Sequence, residues 1–447
     1  MSGGCDDSLL SNDLIKMQKS HSKILARRNI FVAAFIFIYI FVPLILLPFN
    51  VMHILAAISL LFLCTRYQEK LPEILSNRVL RVFLVLHFAM GIYVFLLSAL
   101  TSGDFSALYY ALVTVFEILP CAIFISVVLL DRRIDLSQFY DIILGVGLMQ
   151  VLLVALTWLM PGLREWVISS SGSAGLEEVY QVVREYRIYG IARSYTFAMP
   201  LFQGVCIIIA LTLGAYRSPK YYLLVPFFFI SIVLNARIGL IALFVGPAVI
   251  MCFKFWKTPL RQVLNLLVFG VVLYLGILFI QYKSEDGSSL GSVFDWLNTG
   301  VEEVTSLLIE KEARGNLEVL QSMWILPSGM DFLFGTGQNI FGREGDSSDI
   351  GYVINLYYGG LIFSLLLYLA YFILIMAFYK GGSVVEKNIS ICLLVYLAIA
   401  NVKGNVFIPS ELINGIVLLI VFSIISNSYK LKSASRVETL LTSPHAR

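Results

Sequence analysis

The feature that most constrains this chain is a long series of apolar segments joined by short connections rich in Lys and Arg. The chain is 59% apolar and only 14% charged, whereas a soluble domain carries about 25% charged residues. A helix needs about 20 apolar residues to cross the hydrocarbon core of a bilayer. We therefore predict an all-α, polytopic membrane protein with about twelve transmembrane helices. The predicted spans lie near residues 31–49, 51–65, 82–100, 107–130, 139–160, 197–215, 221–235, 238–253, 263–280, 351–379, 388–402 and 411–427.

The positions of Lys and Arg predict the orientation, because cytoplasmic connections carry an excess of both residues. If the N-terminal tail, residues 1–29, is cytoplasmic, every connection on the same side is basic. The tail also lacks the cleavage site of a signal peptide. We expect one polytopic domain over residues 30–430, with both the N-terminal tail and a C-terminal tail, 431–447, in the cytoplasm. Two long loops, at about 161–196 and 281–350, then lie on the outer face.

Several basic residues fall on the outer face, against the general trend. Arg187 and Arg193 belong to the first outer loop and Arg314 to the second. Arg237 interrupts the otherwise apolar stretch SIVLNARIGLIALFVGP, and a charge at mid-bilayer costs roughly 2.5–3.5 kcal/mol. We therefore place Arg237 at an outer turn between two short spans, and Lys403 at the outer end of a later span.

Arginine presents a planar, permanently charged fork that binds phosphate oxygens in pairs. Several arginines at one membrane surface predict a site for a lipid-linked phosphate or pyrophosphate. The alternative is that they anchor the interface or pair with the acids of the loops. Preorganised positive charge can stabilise a pyrophosphate leaving group without a metal, so we predict neither a metal nor a cofactor.

Other chemistry finds little support in the sequence. The four histidines lie outside the long outer loops, and no nucleophile–base pair, phosphate loop or dinucleotide fingerprint is visible. The cysteines show no metal-binding spacing and no disulfide framework. Since most lie in or beside apolar runs, we interpret them as small packing residues.

The outer loops have their own patterns. In the first loop, PGLREWVISSSGSAG indicates a flexible segment, and LEEVYQVVREY a short amphipathic helix. In the second loop, a helical stretch is expected to end before Pro327. The glycine-rich segment FGTGQNIFGREGDSSDIGY follows it and reaches Asp349. Glycines at this density allow backbone amides to approach a ligand closely.

These segments resemble bacterial O-antigen polymerases of the Wzy family and, more distantly, the O-antigen ligases of the same superfamily. The resemblance rests on the order and predicted side of RIYGIARS, NARIGLIAL, ARGNLEVLQSMW, FGTGQNIFG, DSSDIGYVINLYYGG and NVKGNVF. It implies a glycosyltransferase of the GT-C type in the bacterial inner membrane. Such enzymes join glycan repeat units carried on undecaprenyl pyrophosphate, on the periplasmic face, together with a Wzz-type co-polymerase that sets chain length.

The resemblance also implies roles for individual residues. It assigns pyrophosphate binding to Arg187, Arg193, Arg237 and Arg314, with Arg314 also counted as catalytic. Ligases carry a loop histidine near the position where this chain reads DSSDIGY, and here Asp349 is the nearest candidate for a base. The missing histidine favours a polymerase over a ligase.

Alternatives remain for two of these residues and for the function. Asp349 can equally cap the helix that follows it. Lys403 can bind phosphate, pair with an acid, or extend to the interface as a helix-end lysine. A ligase or a capsule or exopolysaccharide polymerase is the alternative within the superfamily. A lipid-linked oligosaccharide flippase is the alternative from another class, although the internal repeats typical of transporters are absent from the sequence.

Overall fold

A computed structural model describes residues 30–43, 50–101, 103–170, 187–188, 190–192, 197–254, 315–341 and 347–442, with isolated positions between 270 and 309. Side chains are described as far as Lys430. Within these ranges every regular element is helical. We number the α-helices in chain order as α1 Ile30–Phe41, α2 Val51–Thr65, α3 Leu71–Leu75, α4 Arg78–Leu100, α5 Ser106–Asp131, α6 Leu136–Leu159, α7 Pro161–Ser170, α8 Ala198–Tyr216, α9 Val225–Val233, α10 Ala242–Lys254, α11 Asn316–Ser322, α12 Met330–Phe334, α13 Gly351–Gly381, α14 Val384–Ala400 and α15 Glu411–Thr442. Two 3₁₀ turns, Pro219–Leu224 and Arg237–Ile241, lead into α9 and α10.

The helices agree with the predicted apolar spans wherever the structure describes the chain. Among the described residues, six helices are long and apolar enough to cross a membrane, namely α4, α5, α6, α8, α13 and the first part of α15. Four shorter apolar helices coincide with the first, second, seventh and eighth predicted spans. The ninth predicted span, 263–280, lies outside the described residues. The protein is therefore a helical membrane protein. Its last helix continues to Thr442, beyond the predicted boundary at 430.

Hydrogen bonds group the connections into the two sets that charge placement predicted. On the predicted inner side, Lys70 pairs with Asp131, and the Tyr221 hydroxyl donates to Asp141 at 2.7 Å. The Tyr140 hydroxyl donates to buried Glu386 at 2.9 Å on the same side. The outer connections contact one another in the same way, as the site below shows. The core between the two sets is built from most of the helices. Among the long helices of the described residues, α8 is the one whose apolar window is buried throughout.

A π-helical turn interrupts α5 at Thr114–Ile118. Pro120 explains it, since a proline inside a helix has no N–H to donate and its ring clashes with the carbonyl four residues earlier. The Leu119 N–H accordingly bonds to the Thr114 carbonyl, five residues back. The turn presents Glu117 to α2, where its carboxylate lies 2.8 Å from the His53 imidazole.

A break in α13 shapes the outer half of the molecule. Gly360 adopts φ 65° and ψ −167° inside an otherwise continuous helix, a conformation open in practice only to glycine. The carbonyls of Tyr357 and Tyr358 accept the backbone N–H groups of Thr336 and Gly337, at 2.7 and 2.9 Å. The second outer loop therefore packs into the break and satisfies backbone groups that a straight helix would pair internally.

The same packing corrects our interpretation of the glycine-rich segment. A Cβ atom on Gly335 would lie 2.5 Å from the backbone of both Tyr358 and Gly360. The Tyr93 hydroxyl of α4 donates to the Phe334 carbonyl at 2.7 Å just before it. At Gly335 the close approach is therefore to the backbone of α13, while Gly342 and Gly345 lie outside the described residues.

Two further loop predictions have definite outcomes. The segment predicted to be flexible after Pro161 forms helix α7 as far as Ser170, so that prediction was wrong for this part. In the second loop, α11 ends at Ser322, before Pro327 as predicted. The amphipathic helix predicted for LEEVYQVVREY lies outside the described residues.

We expect Gly360→Ala to destabilise the protein. A strained backbone conformation costs about 1–3 kcal/mol, and the added Cβ would also lie 2.4 Å from the Leu333 carbonyl. Gly145→Ala is the matched control, because a Cβ at that position in α6 has nothing within 4 Å. Thermal unfolding of the detergent-solubilised protein should show a lower midpoint for Gly360→Ala alone. Equal midpoints would mean that the break in α13 carries little strain.

Candidate functional site

The structure brings the first outer loop onto the turn that carries Arg237. The Ile188 N–H donates to the Leu234 carbonyl at 3.1 Å. Arg187 directly precedes Ile188, and Arg237 follows Leu234 by three residues, so both lie near this hydrogen bond. Both arginines are half-buried. As predicted, Arg237 lies at a turn between two short helices, α9 and α10.

Arg164 was missed as a site residue, although it is one of the basic residues that oppose the inside-positive trend. Its Nη2 donates to the Arg187 carbonyl at 2.9 Å. Burial lowers the pKa of the Arg164 guanidinium, but an arginine remains charged at neutral pH. Arg164 thus fixes the backbone of Arg187 and adds positive charge beside it.

The turn with Arg237 lies against the N-terminus of α8. Gly239 has no room for a side chain, since a Cβ there would lie 2.5 Å from the Pro200 carbonyl. No side chain caps the first turn of α8. The first N–H groups of a helix carry a partial positive charge and favour anions. The N-terminus of α8 therefore adds to the positive potential around Arg237.

Asp349 and Lys403 lie on two adjoining segments. The Gly351 N–H donates to the Asn401 carbonyl at 2.9 Å, which joins the start of α13 to the turn after α14. Asp349 is half-buried and Lys403 is exposed. No side chain caps α13, so the capping role considered for Asp349 does not occur.

The segment with Lys403 also contacts the start of α8. A Cβ on Gly404 would lie 2.4 Å from the ring of Phe197, the residue just before α8. The N-terminus of α8 thus lies between the turn with Arg237 and the segment with Lys403. Arg193 and Arg314 lie outside the described residues.

A cavity of about 140 Å³ is lined by residues that follow these two segments in the chain, Ile354 and Asn355 after Asp349 and Asn405 after Lys403. Asn355 of α13 and Asn405 both line this cavity. The side-chain N–H of Asn405 donates to the side-chain oxygen Oδ1 of Asn355 at 2.8 Å. His87 of α4 is buried and lines the cavity from another side. Sequence reasoning missed this cavity, because its polar residues are scattered through apolar spans.

Neither a metal site nor a disulfide is found in the part of the chain that the structure describes. No group of three or more His, Cys, Asp or Glu residues is placed to hold a metal ion there. Cys121, Cys206 and Cys392 are buried, as the packing interpretation predicts. Cys64 and Cys252 are exposed on the helix surface instead.

Comparison with known proteins adds no relative. No protein-family model, curated protein or solved structure matches this chain. The arginines of the site and the start of α8 can bind an anion, and Asp349 can accept a proton.

We expect inorganic pyrophosphate to raise the thermal unfolding midpoint of the purified protein, since a ligand that binds the folded state stabilises it. Arg237→Met should weaken this shift by removing a charge at the site. Arg81→Met is the matched control, because it removes an exposed charge from the first turn of α4. Equal shifts for both variants and the wild type would contradict an anion site at Arg237.

Proposed function

We propose that this protein is an O-antigen polymerase. It joins oligosaccharide repeat units carried on undecaprenyl pyrophosphate, on the periplasmic face of the bacterial inner membrane, within a polytopic fold of about twelve helices. The observation that carries the proposal is the hydrogen bond of Ile188 to Leu234, which brings Arg187 to the turn with Arg237. Two basic residues from distant parts of the chain thereby share one surface with the N-terminus of α8.

The proposed reaction is a metal-independent glycosyl transfer. An acceptor hydroxyl gives its proton to a base, and its oxygen forms a bond to the anomeric carbon of the donor glycan. The bond from that carbon to the pyrophosphate oxygen breaks, and its electron pair leaves with undecaprenyl pyrophosphate. Arg187, Arg193, Arg237 and Arg314 stabilise the negative charge that develops on this leaving group.

Asp349 is the proposed base, and Lys403 contacts the phosphates from the other side of α8. The carboxylate of Asp349 can accept the proton of the acceptor hydroxyl. A Wzz-type partner is expected to set the chain length. The GT-C architecture and the orientation of both termini toward the cytoplasm belong to the same proposal.

Deletion of the gene should leave lipopolysaccharide with a core that carries a single repeat unit, visible on a gel. Loss of a ligase would instead leave bare core while lipid-linked polymer accumulates. A normal ladder would rule out both enzymes.

Single alanine substitutions at Arg187, Arg193, Arg237 and Arg314 should each reduce polymer formation by about 10²–10³-fold, the usual effect of removing one preorganised donor. Complementation of the deletion strain, with protein levels measured in parallel, provides the test. Arg81→Ala should restore long chains and serves as the control. Long chains from all four variants would contradict the role of the arginines.

Asp349→Asn should lower the rate by about 10²–10⁴-fold, because general base catalysis contributes that much. Asp331→Asn is the matched control, since Asp331 is an exposed carboxylate on the same loop. The measurement is polymer formation from purified lipid-linked repeat units in vesicles. If both variants retain the wild-type rate, Asp349 is not the base.

A further inference from the structure

The cavity lined by Asn355 and Asn405 has a composition unlike that of a packing defect. Empty cavities in proteins are lined by apolar groups. Here polar side chains from α4, α5, α13 and two outer segments line the space beside apolar ones, and they include His87, Ser106, Tyr110, Asn339, Asn355 and Asn405. A mostly apolar wall with a few convergent polar groups is typical of a ligand site.

The charge of the lining restricts the ligand. None of the described residues that line the cavity is Asp, Glu, Lys or Arg. A phosphate placed there would be buried without a counter-charge, which is strongly unfavourable. The cationic groups lie instead at Lys403 and Arg237, outside the cavity. The cavity therefore fits an uncharged group, while an attached anion stays at the cationic rim.

The polar atoms that face the cavity suit hydroxyl groups. The Nδ1–H of His87 donates to the Phe83 carbonyl at 2.9 Å, so Nε2 is the ring nitrogen left to accept a hydrogen bond. The side chains of Asn355 and Asn405 hold each other and are further fixed by the Tyr368 hydroxyl, 3.1 Å from the Asn355 amide. A preorganised set of donors and acceptors of this kind pairs with ligand hydroxyls at little entropic cost.

The volume of the cavity and its aromatic lining favour a ligand with one six-membered ring. An engineered cavity of about 150 Å³ admits benzene, so about 140 Å³ has room for one ring. Phe197 and Phe407 line the same space and provide flat, electron-rich faces. The C–H face of a pyranose packs against such rings, and its hydroxyls reach the polar side chains at its edge.

We propose that this cavity binds one uncharged pyranose ring, the terminal sugar of the glycan substrate. This inference rests on the proposed function, because it takes the ring to belong to the lipid-linked glycan. Ile354 and Asn355 lie in the first turns of α13, five and six residues after Asp349. A ring in the cavity therefore extends toward the proposed base.

Ala111→Leu tests the proposal by filling the space. Ala111 is buried, lines the cavity and belongs to α5. A larger apolar side chain that fills a cavity stabilises a protein, so the unfolding midpoint should stay equal or rise, while polymer formation falls at least tenfold. Ala89→Leu is the matched control, because Ala89 is exposed on the neighbouring helix α4, and it should behave like the wild type.

Binding is measured separately, on the purified full-length protein. The probe is the repeat-unit oligosaccharide released by mild acid from the strain's own glycolipid, and farnesol serves as an apolar lipid alcohol for comparison. The oligosaccharide should raise the unfolding midpoint of the wild type and of Ala89→Leu, but not of Ala111→Leu. A shift with farnesol and none with the oligosaccharide would overturn the proposal.

The outcomes separate this inference from the proposed function. Polymer formation and an oligosaccharide shift that both survive in a stable Ala111→Leu protein overturn the inference and leave the polymerase standing. A normal ladder in the deletion strain overturns the polymerase, whatever the cavity binds. If Ala111→Leu does not fold, Ala107→Leu fills the same cavity from one turn earlier on α5, and the wild-type oligosaccharide shift still decides.

Discussion

The pairing of backbone groups at membrane depth is the constraint on which the outer half of this structure depends. An unpaired peptide group away from water costs several kcal/mol, and the break at Gly360 frees the carbonyls of Tyr357 and Tyr358. The backbone N–H groups of Thr336 and Gly337 donate to these carbonyls. The second outer loop thus completes the hydrogen bonding of helix α13, which follows it in the chain. Asn339 follows this pairing by two residues and lines the cavity. Its backbone N–H donates at 2.9 Å to the carboxylate of Asp104, which does not line the cavity.

The helical fold was largely predictable because apolar runs and basic connections are strong, additive signals in a membrane protein. Arg237 divided one long apolar stretch into two short helices for the same reason, since a buried charge is too costly. The break in α13 was not predictable, because Gly359-Gly360 within an apolar run also fits a straight helix. Helix α7 was missed because the following Ser/Gly cluster outweighed the short amphipathic pattern around Leu163 and Trp166.

The candidate site was predictable only in part. The arginines stand out because they oppose the inside-positive trend, but their grouping depends on contacts between distant segments. The bond of Ile188 to Leu234 and that of Gly351 to Asn401 each join residues about fifty positions apart, and neither has a local sequence signal. The cavity was not predictable, because its polar side chains, such as His87 and Asn355, occur in the sequence as isolated polar residues within apolar spans.

Charged and neutral polar groups occupy different parts of the site, so its two parts favour different chemical groups. The segment with Lys403 and the turn with Arg237 adjoin the start of α8. The described residues that line the cavity are mostly apolar, and their polar groups are uncharged amides, hydroxyls and one imidazole. An anionic group moved from the cationic residues into the cavity would lose its counter-charges and its water. A sugar moved there would exchange water for fixed hydrogen-bond partners. Under the proposed function, desolvation alone would orient a substrate with a pyrophosphate at one end and sugars at the other.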